Sequence, residues 1–341
     1  MESGVGVKPK PECASYSFLQ PPDLPMTLSL VTGAWSYLGR SIASELLARG
    51  GRVRTLTSRR RPERDPFNGA VDSWPLQFAA GSEPAPGLLD ALTGVDTLYN
   101  TYWVRHDRPP RGQRGTWIAH PEAVRRSCQL LDAAKMAGVR RVVQFTHTRT
   151  DLAPDLPYFA GKAAVERHLR DSGLSHAILR PNSLFGHRDI IINNVAWAVR
   201  RFAVFPLPGP LGYRVRPIHV DDLAAAACDL GADNWNVTRD ACGPEQYVFD
   251  DLVRWLGRTL TGRAPIVLPL PPRLCQPLFQ ATGWVLGDTI LSWSEIKGLV
   301  LDLLSSDEEP LGSRALSDWV HEHREELGRE FKLYPYQLQQ R

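Results

Sequence analysis

A tyrosine and a lysine four residues apart form the pair in this sequence that is best suited to proton transfer. Tyr158 and Lys162 lie in "LPYFAGKAAVERHL", whose apolar spacing predicts a helix from about residue 158 to 171. Residues four apart share a helix face, so the ammonium would lie beside the phenol. A positive neighbour lowers a tyrosine pKa from its usual value near about 10. The pair therefore predicts an acid/base site.

A hydroxyl group precedes this helix at the end of a predicted strand. The strand "RVVQFT" ends at Thr146, and Thr148 is a second candidate two residues later. Either hydroxyl could hold a carbonyl oxygen while Tyr158 exchanges a proton with it. A tyrosine and a lysine at this spacing are common by chance, so the pair gains meaning only from the elements around it.

Those elements alternate between short apolar strands and helical patterns, which predicts a doubly wound parallel sheet of Rossmann type. Pro75 places the third strand at an edge or a bend. The pattern changes after Arg180, and a smaller, mainly helical lobe is expected to cover the ligand crevice. The predicted strands are 27–32, 52–57, 71–78, 96–103, 141–146 and 175–180.

The loop "TGAWSYLGR" after the first strand predicts a phosphate-binding turn at a helix N-terminus. Gly33 and Gly39 frame the turn, but Ser36 occupies the middle glycine position and follows the bulky Trp35. A serine there keeps a backbone N–H for phosphate and adds a hydroxyl, provided that its φ is negative. The alternative is a strand–turn–helix without a ligand. The predicted cofactor contacts in this loop are Gly33, Trp35, Ser36, Tyr37, Leu38 and Gly39.

The end of the second strand carries arginines where a carboxylate usually holds an unphosphorylated ribose. Ser58, Arg59 and Arg60 stand at this position. Because a guanidinium matches a phosphate through two hydrogen bonds, these residues favour NADP over NAD. The alternative is a solvated basic loop.

These motifs together resemble the short-chain dehydrogenase/reductase superfamily. The resemblance covers Thr27 to about Leu230 and is strongest to the extended and atypical branches, which include epimerase/dehydratase-like, NmrA-like and complex-I-accessory-subunit-like proteins. It rests on "TGAWSYLGR", "GVDTLYNTYW", "LPYFAGKAAVERHLRDSGLSHAILRPNSLFG" and "RPIHVDDLA". The sequence departs from the family pattern at Ser36, at Thr146 in place of serine, and at Gln77 in place of an acidic residue.

The resemblance implies roles for several residues. Tyr158 would be the acid/base, Lys162 its helper and a ligand of the nicotinamide ribose, and Thr146 the hydroxyl that holds the substrate. Two further segments would line the cofactor. They comprise Asn100 and Thr101 after the fourth strand, and Pro181, Asn182, Ser183 and Leu184 beside the nicotinamide.

The candidate substrate contacts lie where the crevice would open. An aromatic and arginine lining suits an aromatic or polycyclic substrate, although core packing explains the aromatic residues about as well. The candidates are Tyr102, Trp103, Thr148, Phe185, His187 and Arg216.

The motifs also divide the chain. Residues 1–25 are expected to be a disordered extension, and residues 26–186 with about 217–240 to form the nucleotide-binding domain. Residues 187–216 and 241–341 are expected to form the substrate lobe.

Composition excludes several classes of protein. The formal net charge of +3 argues against nucleic acid and membrane partners, and no apolar run is long enough to span a bilayer. The five cysteines show no metal-ligand or redox spacing, so no metal is expected and a reduced, cytoplasmic setting is predicted. A monomer or homodimer that acts on a small molecule fits these features.

The leading hypothesis is an NADP-dependent oxidoreductase that transfers hydride between nicotinamide and a carbonyl or alcohol carbon. Three alternatives use the same scaffold. They are an NAD-dependent sugar-nucleotide epimerase or dehydratase, a non-catalytic NADP-binding regulator or accessory subunit, and a non-redox cyclase or isomerase.

Overall fold

A computed structural model of the chain describes residues 27–105, 118–286 and 290–333. The predicted N-terminal extension, residues 1–25, lies outside these ranges.

The central sheet has seven parallel strands in the order β11-β6-β5-β4-β1-β2-β3. The described strands are β1 (Leu28–Thr32), β2 (Arg52–Thr57), β3 (Val71–Pro75), β4 (Thr97–Asn100), β5 (Arg141–Phe145), β6 (Ser175–Pro181), β7 (Leu184–Phe185), β8 (Val204–Pro208), β9 (Arg214–Val215), β10 (Ile218–His219), β11 (Val237–Ala241), β12 (Tyr247–Val248) and β13 (Ile266–Leu270). The predicted doubly wound, Rossmann-type fold is confirmed, and the strand that ends in Pro75 lies at the sheet edge as expected. The second edge strand, β11, was not predicted.

The helices connect the strands and continue into the C-terminal region. The described helices are α1 (Tyr37–Ala48), α2 (Pro86–Leu92), α3 (His120–Met136), α4 (Pro157–Asp171), α5 (Ile191–Arg201), α6 (Val220–Ala232), α7 (Phe249–Thr261), α8 (Pro272–Leu286), α9 (Trp293–Val300) and α10 (Leu316–Glu322). Among them, α4 begins and ends within one residue of the helix predicted at about 158–171.

The two faces of the sheet bury separate apolar clusters because successive strand residues point to opposite sides. Val31 of β1 faces α1 and α6, where it packs in one cluster with Ile42 and Leu223. Leu30, its neighbour, faces α2, α3 and α4 and packs with Leu130 and Val165. The strands are therefore covered on both sides, as a parallel sheet requires.

A third cluster lies in the C-terminal region and joins α5, α7 and α10. Val195, Leu252 and Trp319 are members, one from each of these helices. The parallel pair of β8 and β13 borders the same cluster. This third cluster agrees with a separate C-terminal lobe, while the exact domain boundaries stay a prediction.

Candidate nucleotide-binding and active site

The turn between β1 and α1 explains its residue pattern. Gly33 has φ +69°, in the left-handed region that favours glycine. A Cβ on Gly39 would overlap the carbonyl group of Gly33, so this position also requires glycine. Ser36 has φ −79° and ψ 174°, an extended conformation open to any residue. The missing middle glycine is therefore tolerated by the backbone.

Ser36 also begins the helix. Its Oγ accepts a hydrogen bond from the N–H of Gly39 at 3.3 Å, and its own N–H donates to the carbonyl of Gly33 at 2.8 Å. A helix leaves its first N–H groups without intrahelical acceptors, here those of Tyr37 and Leu38. The turn thus has the N–H groups and the positive helix end that suit a phosphate, and its contact with a cofactor stays a prediction.

Trp35 belongs to the core beside the turn. Its side chain is buried in the same cluster as Phe67, and its indole Nε1–H donates to Oδ1 of Asp65 at 3.3 Å. Asp65 also accepts from the N–H groups of Phe67 and Gly69. Burial acts to raise the pKa of Asp65, but these hydrogen bonds and the positive charge of Arg61 outweigh it, so the pKa is lowered. The indole therefore anchors the loop after β2.

Gly39→Ala is expected to weaken NADPH binding by more than about tenfold and to lower the free energy of unfolding by about 1–3 kcal/mol. The added methyl group would push the turn open at the Gly33 carbonyl. Gly87→Ala in α2 is the matched control, because its Cβ would meet no atom within 4 Å. Fluorescence titration with NADPH and urea denaturation check both variants. Unchanged NADPH affinity in Gly39→Ala would remove this turn from the binding site.

The basic residues after β2 lie at the surface. Ser58 and Arg60 are exposed and Arg59 is half-buried. The N–H of Arg59 donates to Oγ1 of Thr57, which fixes the backbone at the strand end. The guanidinium of Arg61, the next residue, donates to the carbonyl of Val71 at 2.8 Å. Arg59 and Arg60 thus follow the carboxyl end of β2, and their contact with a 2′-phosphate stays a prediction.

A buried polar network joins the carboxyl ends of β1, β4 and β5. Asn100 donates through Nδ2 to Oε1 of Gln144 at 2.8 Å and accepts from the Thr32 hydroxyl and the N–H of Tyr102. The Thr101 hydroxyl donates to the Thr32 carbonyl at 2.5 Å. Asn100 and Thr101 therefore hold these strand ends together, and their contact with a cofactor stays a prediction.

Tyr158 lies in an aromatic cluster at the N-terminus of α4. Its ring makes edge contacts with Trp103, His120 and His147 at centroid distances of 6.1, 5.6 and 5.9 Å. Trp103 and His120 stack on each other at 6.1 Å. The chain after β4, the start of α3 and the chain after β5 thus converge on the predicted acid/base.

Lys162 lies on the same helix face and is buried. Its ammonium donates to the carbonyl of Phe145 at 3.1 Å and lies 4.4 Å from the centre of the Trp103 ring. A Cβ on Gly161 would approach the same ring to 3.0 Å, so glycine allows Trp103 to pack closely here. Burial lowers the pKa of Lys162 to about 7, against an opposing influence of Glu166.

This low pKa predicts a pH-dependent stability. Folded Lys162 has a pKa of about 7, and an unfolded lysine has a pKa of about 10.4. Between these two pH values Lys162 is protonated in the unfolded chain and has released its proton in the folded one. The free energy of unfolding therefore rises with pH in this window. Urea denaturation from pH 7 to 10 should show the wild type gaining stability relative to Lys162→Met. Lys135→Met, at an exposed position of α3, should not change the slope. Parallel curves for the wild type and Lys162→Met would contradict the assignment.

Thr146 donates its hydroxyl proton to a buried carboxylate. Its Oγ1 lies 2.5 Å from Oε1 of Glu166, and Arg180 binds both oxygens of the same carboxylate at 2.9 and 2.6 Å. Arg170 adds a contact at 3.0 Å. A hydroxyl has one proton to donate, so in this arrangement Thr146 does not also donate to a substrate carbonyl.

The residues that follow Thr146 are buried and hydrogen-bonded. The Thr148 hydroxyl donates to the carbonyl of Leu303 at 2.7 Å, which ties this loop to the C-terminal region. Nδ1 of His147 lies 2.9 Å from the carbonyl of Thr148 and must therefore carry a proton. Burial lowers the pKa of His147 to about 4, so the ring is neutral at physiological pH. Its Nε2 is then an acceptor beside Tyr158.

The turn at residues 181–184, which was predicted to lie beside the nicotinamide, is partly buried. Pro181, Asn182 and Leu184 are half-buried, and Nδ2 of Asn182 is a buried donor without a partner among the described residues. The carbonyl of Ser183 accepts from Ile218, where β7 pairs with β10. The orphaned amide of Asn182 fits a contact with a bound group.

The remaining candidate substrate contacts are spread over the molecule. Phe185 is fully buried between His219 and Trp319, and Arg216 binds the carbonyls of Gly243, Ser306 and Glu308. His187 is exposed and contacts the ring of His323 at 4.7 Å.

The last two substrate candidates, Tyr102 and Trp103, follow β4 along the chain. Tyr102 contacts Phe78 at 5.2 Å, and burial raises the pKa of its hydroxyl. Among the substrate candidates, Trp103 alone makes a described contact with both Tyr158 and Lys162.

Sequence reasoning missed Glu166, Arg180 and His120. Glu166 follows Lys162 by one helix turn, so the spacing Tyr158–Lys162–Glu166 was a usable signal for a third residue on this face. His120 had no such signal, because the fold alone brings the start of α3 to Tyr158. Among the described residues, no group of three or more His, Cys, Asp or Glu side chains is placed to hold a metal ion.

The fold and the turn between β1 and α1 agree with a nucleotide-binding class of protein. Residues 33–190 match the model of the NAD(P)H-binding family. The matched region forms most of the Rossmann-type sheet, a fold shared by oxidoreductases and epimerases. The family match and the shared fold are consistent with the extended and atypical short-chain dehydrogenase/reductase branch that the motifs resemble.

Curated relatives match over much of the chain. Sterol demethylase protein B of Methylococcus capsulatus is 27% identical over 273 residues, which cover 73% of this chain and 79% of the relative. An uncharacterized protein of Mycobacterium tuberculosis is 29% identical over 252 residues, which cover 72% of this chain and 24% of the relative. The chain thus spans about a quarter of the length of the mycobacterial protein.

Solved structures share the fold. A nucleoside-diphosphate-sugar epimerase of Staphylococcus aureus has a TM-score of 0.68 at 15% identity and covers 87% of this chain and 100% of its own. An NADPH-dependent quinone oxidoreductase of Escherichia coli, complexed with NADPH, has a TM-score of 0.65 at 18% identity, with 86% and 99% covered. At these identities the likeness shows the fold alone.

Proposed function

We propose that the protein is an NADP-dependent oxidoreductase acting on a carbonyl or alcohol of a small metabolite. The observation that carries the proposal is the pairing of Tyr158 with Lys162 on one face of α4, beside Trp103 at the carboxyl end of the sheet. The same edge of the sheet holds the phosphate-binding turn of α1. A nicotinamide bound at this edge would meet its substrate beside Tyr158, which supports the proposal.

In this proposal each residue has a limited task. When bound, the nicotinamide supplies or takes the hydride. Tyr158 gives a proton to the oxygen of a carbonyl substrate, or takes it from an alcohol in the reverse direction. Lys162 fixes the phenol and binds the ribose, whereas the Thr146 hydroxyl, whose proton goes to Glu166, does not donate to the substrate oxygen. Trp103 provides an apolar wall that suits an aromatic or polycyclic substrate, in keeping with a relative named sterol demethylase protein B.

The preference for NADP rests on Arg59 and Arg60. Both follow β2, and their guanidinium groups match the geometry of a 2′-phosphate. Asp65 lies in the same loop, but its carboxylate is engaged by Trp35, Phe67 and Gly69. The Asp65 carboxylate is therefore occupied by hydrogen bonds within the loop rather than by the two hydroxyls of an unphosphorylated ribose. This supports NADP over NAD.

One experiment tests both parts of the proposal. Purified protein is titrated with NADPH and with NADH by nicotinamide fluorescence, and carbonyl compounds are then screened for NADPH oxidation. We expect tighter binding of NADPH, and the double variant Arg59→Ala/Arg60→Ala should lose about tenfold or more in NADPH affinity with little change for NADH. Tighter binding of NADH would overturn the cofactor assignment. No binding of either nucleotide would overturn the whole proposal.

A second candidate is a non-catalytic NADP-binding regulator or accessory subunit. Two observations favour it: the Thr146 proton is donated to Glu166, and Trp103 packs over Lys162. Both groups would then be structural. Tight NADPH binding without oxidation by any screened carbonyl would support this candidate over the first. The sugar-nucleotide epimerase and the non-redox isomerase stay as alternatives on the same scaffold.

A further inference from the structure

Helix α8 has two apolar faces, and among the described residues one is buried and the other is exposed. Cys275, Phe279 and Gly283, four residues apart, are buried toward the protein. A second row of apolar residues points outward, with Val285 86% and Leu278 42% exposed. The full outward row, at the spacing of one helix face, is Leu274, Leu278, Ala281 and Val285.

The strand that leads into this helix adds to the exposed apolar surface. Ile266 and Leu268 of β13 are exposed, and β13 continues through a proline pair directly into α8. Scattered apolar side chains are ordinary on a protein surface, but a row along a whole helix marks an interaction site.

The charge of this region indicates what the row contacts. From Leu252 to Gly287 the sequence contains four arginines and no other charged residue. Arg254 pairs with Asp250 and Asp251. The other three, Arg258, Arg263 and Arg273, are exposed and form no ion pair among the described residues.

We propose that α8 docks the protein on an anionic lipid surface, with its outward apolar row in the headgroup region and the arginines against lipid phosphates. An amphipathic helix with an apolar row and basic neighbours binds bilayers in this way. A second copy of the chain would bring like charges together, whereas an anionic bilayer complements them. The helix would lie on the membrane, because no described helix is long and apolar enough to cross one.

This proposal differs from the sequence-based expectation of no membrane partner and does not depend on redox activity. The expectation came from the net charge of the whole chain. It overlooked a local stretch of sequence that carries both exposed apolar residues and arginines.

Flotation of the full chain with vesicles tests the proposal. Vesicles of phosphatidylcholine are compared with vesicles that also contain phosphatidylglycerol. We expect binding to the anionic vesicles that weakens as salt is raised. The double variant Leu278→Glu/Val285→Glu should lose at least about tenfold in binding. Arg263→Glu/Arg273→Glu should lose the preference for phosphatidylglycerol.

Met136→Glu is the matched control, because Met136 is 62% exposed on α3, outside this region. NADPH titration and thermal melting of all variants report the fold. Absence of vesicle binding, or equal binding by Leu278→Glu/Val285→Glu and the wild type, would overturn the proposal. A dimer in solution that the same variant dissociates, without vesicle binding, would assign the row to contact between copies and also overturn it.

Discussion

Tyr158→Phe is expected to lower the turnover of the proposed NADPH-dependent reaction by about 10²–10⁴-fold while changing NADPH affinity by less than about twofold. The substitution removes one hydroxyl and keeps the ring. The edge contacts with Trp103, His120 and His147 are therefore retained, and the site keeps its shape. Turnover is measured as NADPH oxidation with the carbonyl substrate found by screening, and affinity by nicotinamide fluorescence.

Tyr247→Phe is the matched control for the loss of a tyrosine hydroxyl. Tyr247 donates to Glu245 at 2.5 Å in the C-terminal region, outside the Tyr158 cluster. This variant should lose some stability but keep its turnover. Equal turnover of Tyr158→Phe and the wild type, with NADPH still bound, would contradict the acid/base role and leave the regulator or a non-redox enzyme.

The parts of the fold that depend on local pattern could be predicted from the sequence. Apolar runs bounded by turns gave the six predicted strands, and Pro75 marked the edge strand because proline lacks a ladder donor. β11 could not be predicted in this way. Its burial is mostly partial, and it lies at the far edge of the sheet beside β6, so its sequence has no strong apolar run.

In the candidate site, too, the features that depend on local spacing were predictable and those that depend on distant contacts were not. The i, i+4 spacing of Tyr158 and Lys162 was sufficient to place both on one face of α4. The surroundings of Thr146 were not predictable, because the proton it donates goes to a residue 20 positions away. Position in the sequence indicated a substrate hydroxyl, whereas the packing of α4 against β6 gives it a carboxylate partner.

Glu166→Ala is expected to lower the free energy of unfolding by about 3–5 kcal/mol, since removal of one partner leaves a charge unpaired at a largely buried site. The Glu166 side chain is 2% exposed and holds Arg180 and Arg170 as well as Thr146. Urea denaturation measures the loss. Glu122→Ala is the matched control, because its ion pairs with Arg125 and Arg126 lie near the surface of α3 and should contribute less than about 1 kcal/mol.

Glu166→Gln removes the negative charge but keeps the size and shape of the side chain, so it measures the contribution of the charge to stability. The amide oxygen can still accept a hydrogen bond, but the charge that holds Arg180 is lost, so the loss of stability should be a large part of that in Glu166→Ala. If both Glu166 variants destabilise the protein no more than Glu122→Ala, the network does not connect α4 with β6 as the geometry indicates. The hydroxyl of Thr146 would then be available to a substrate, as the sequence first suggested.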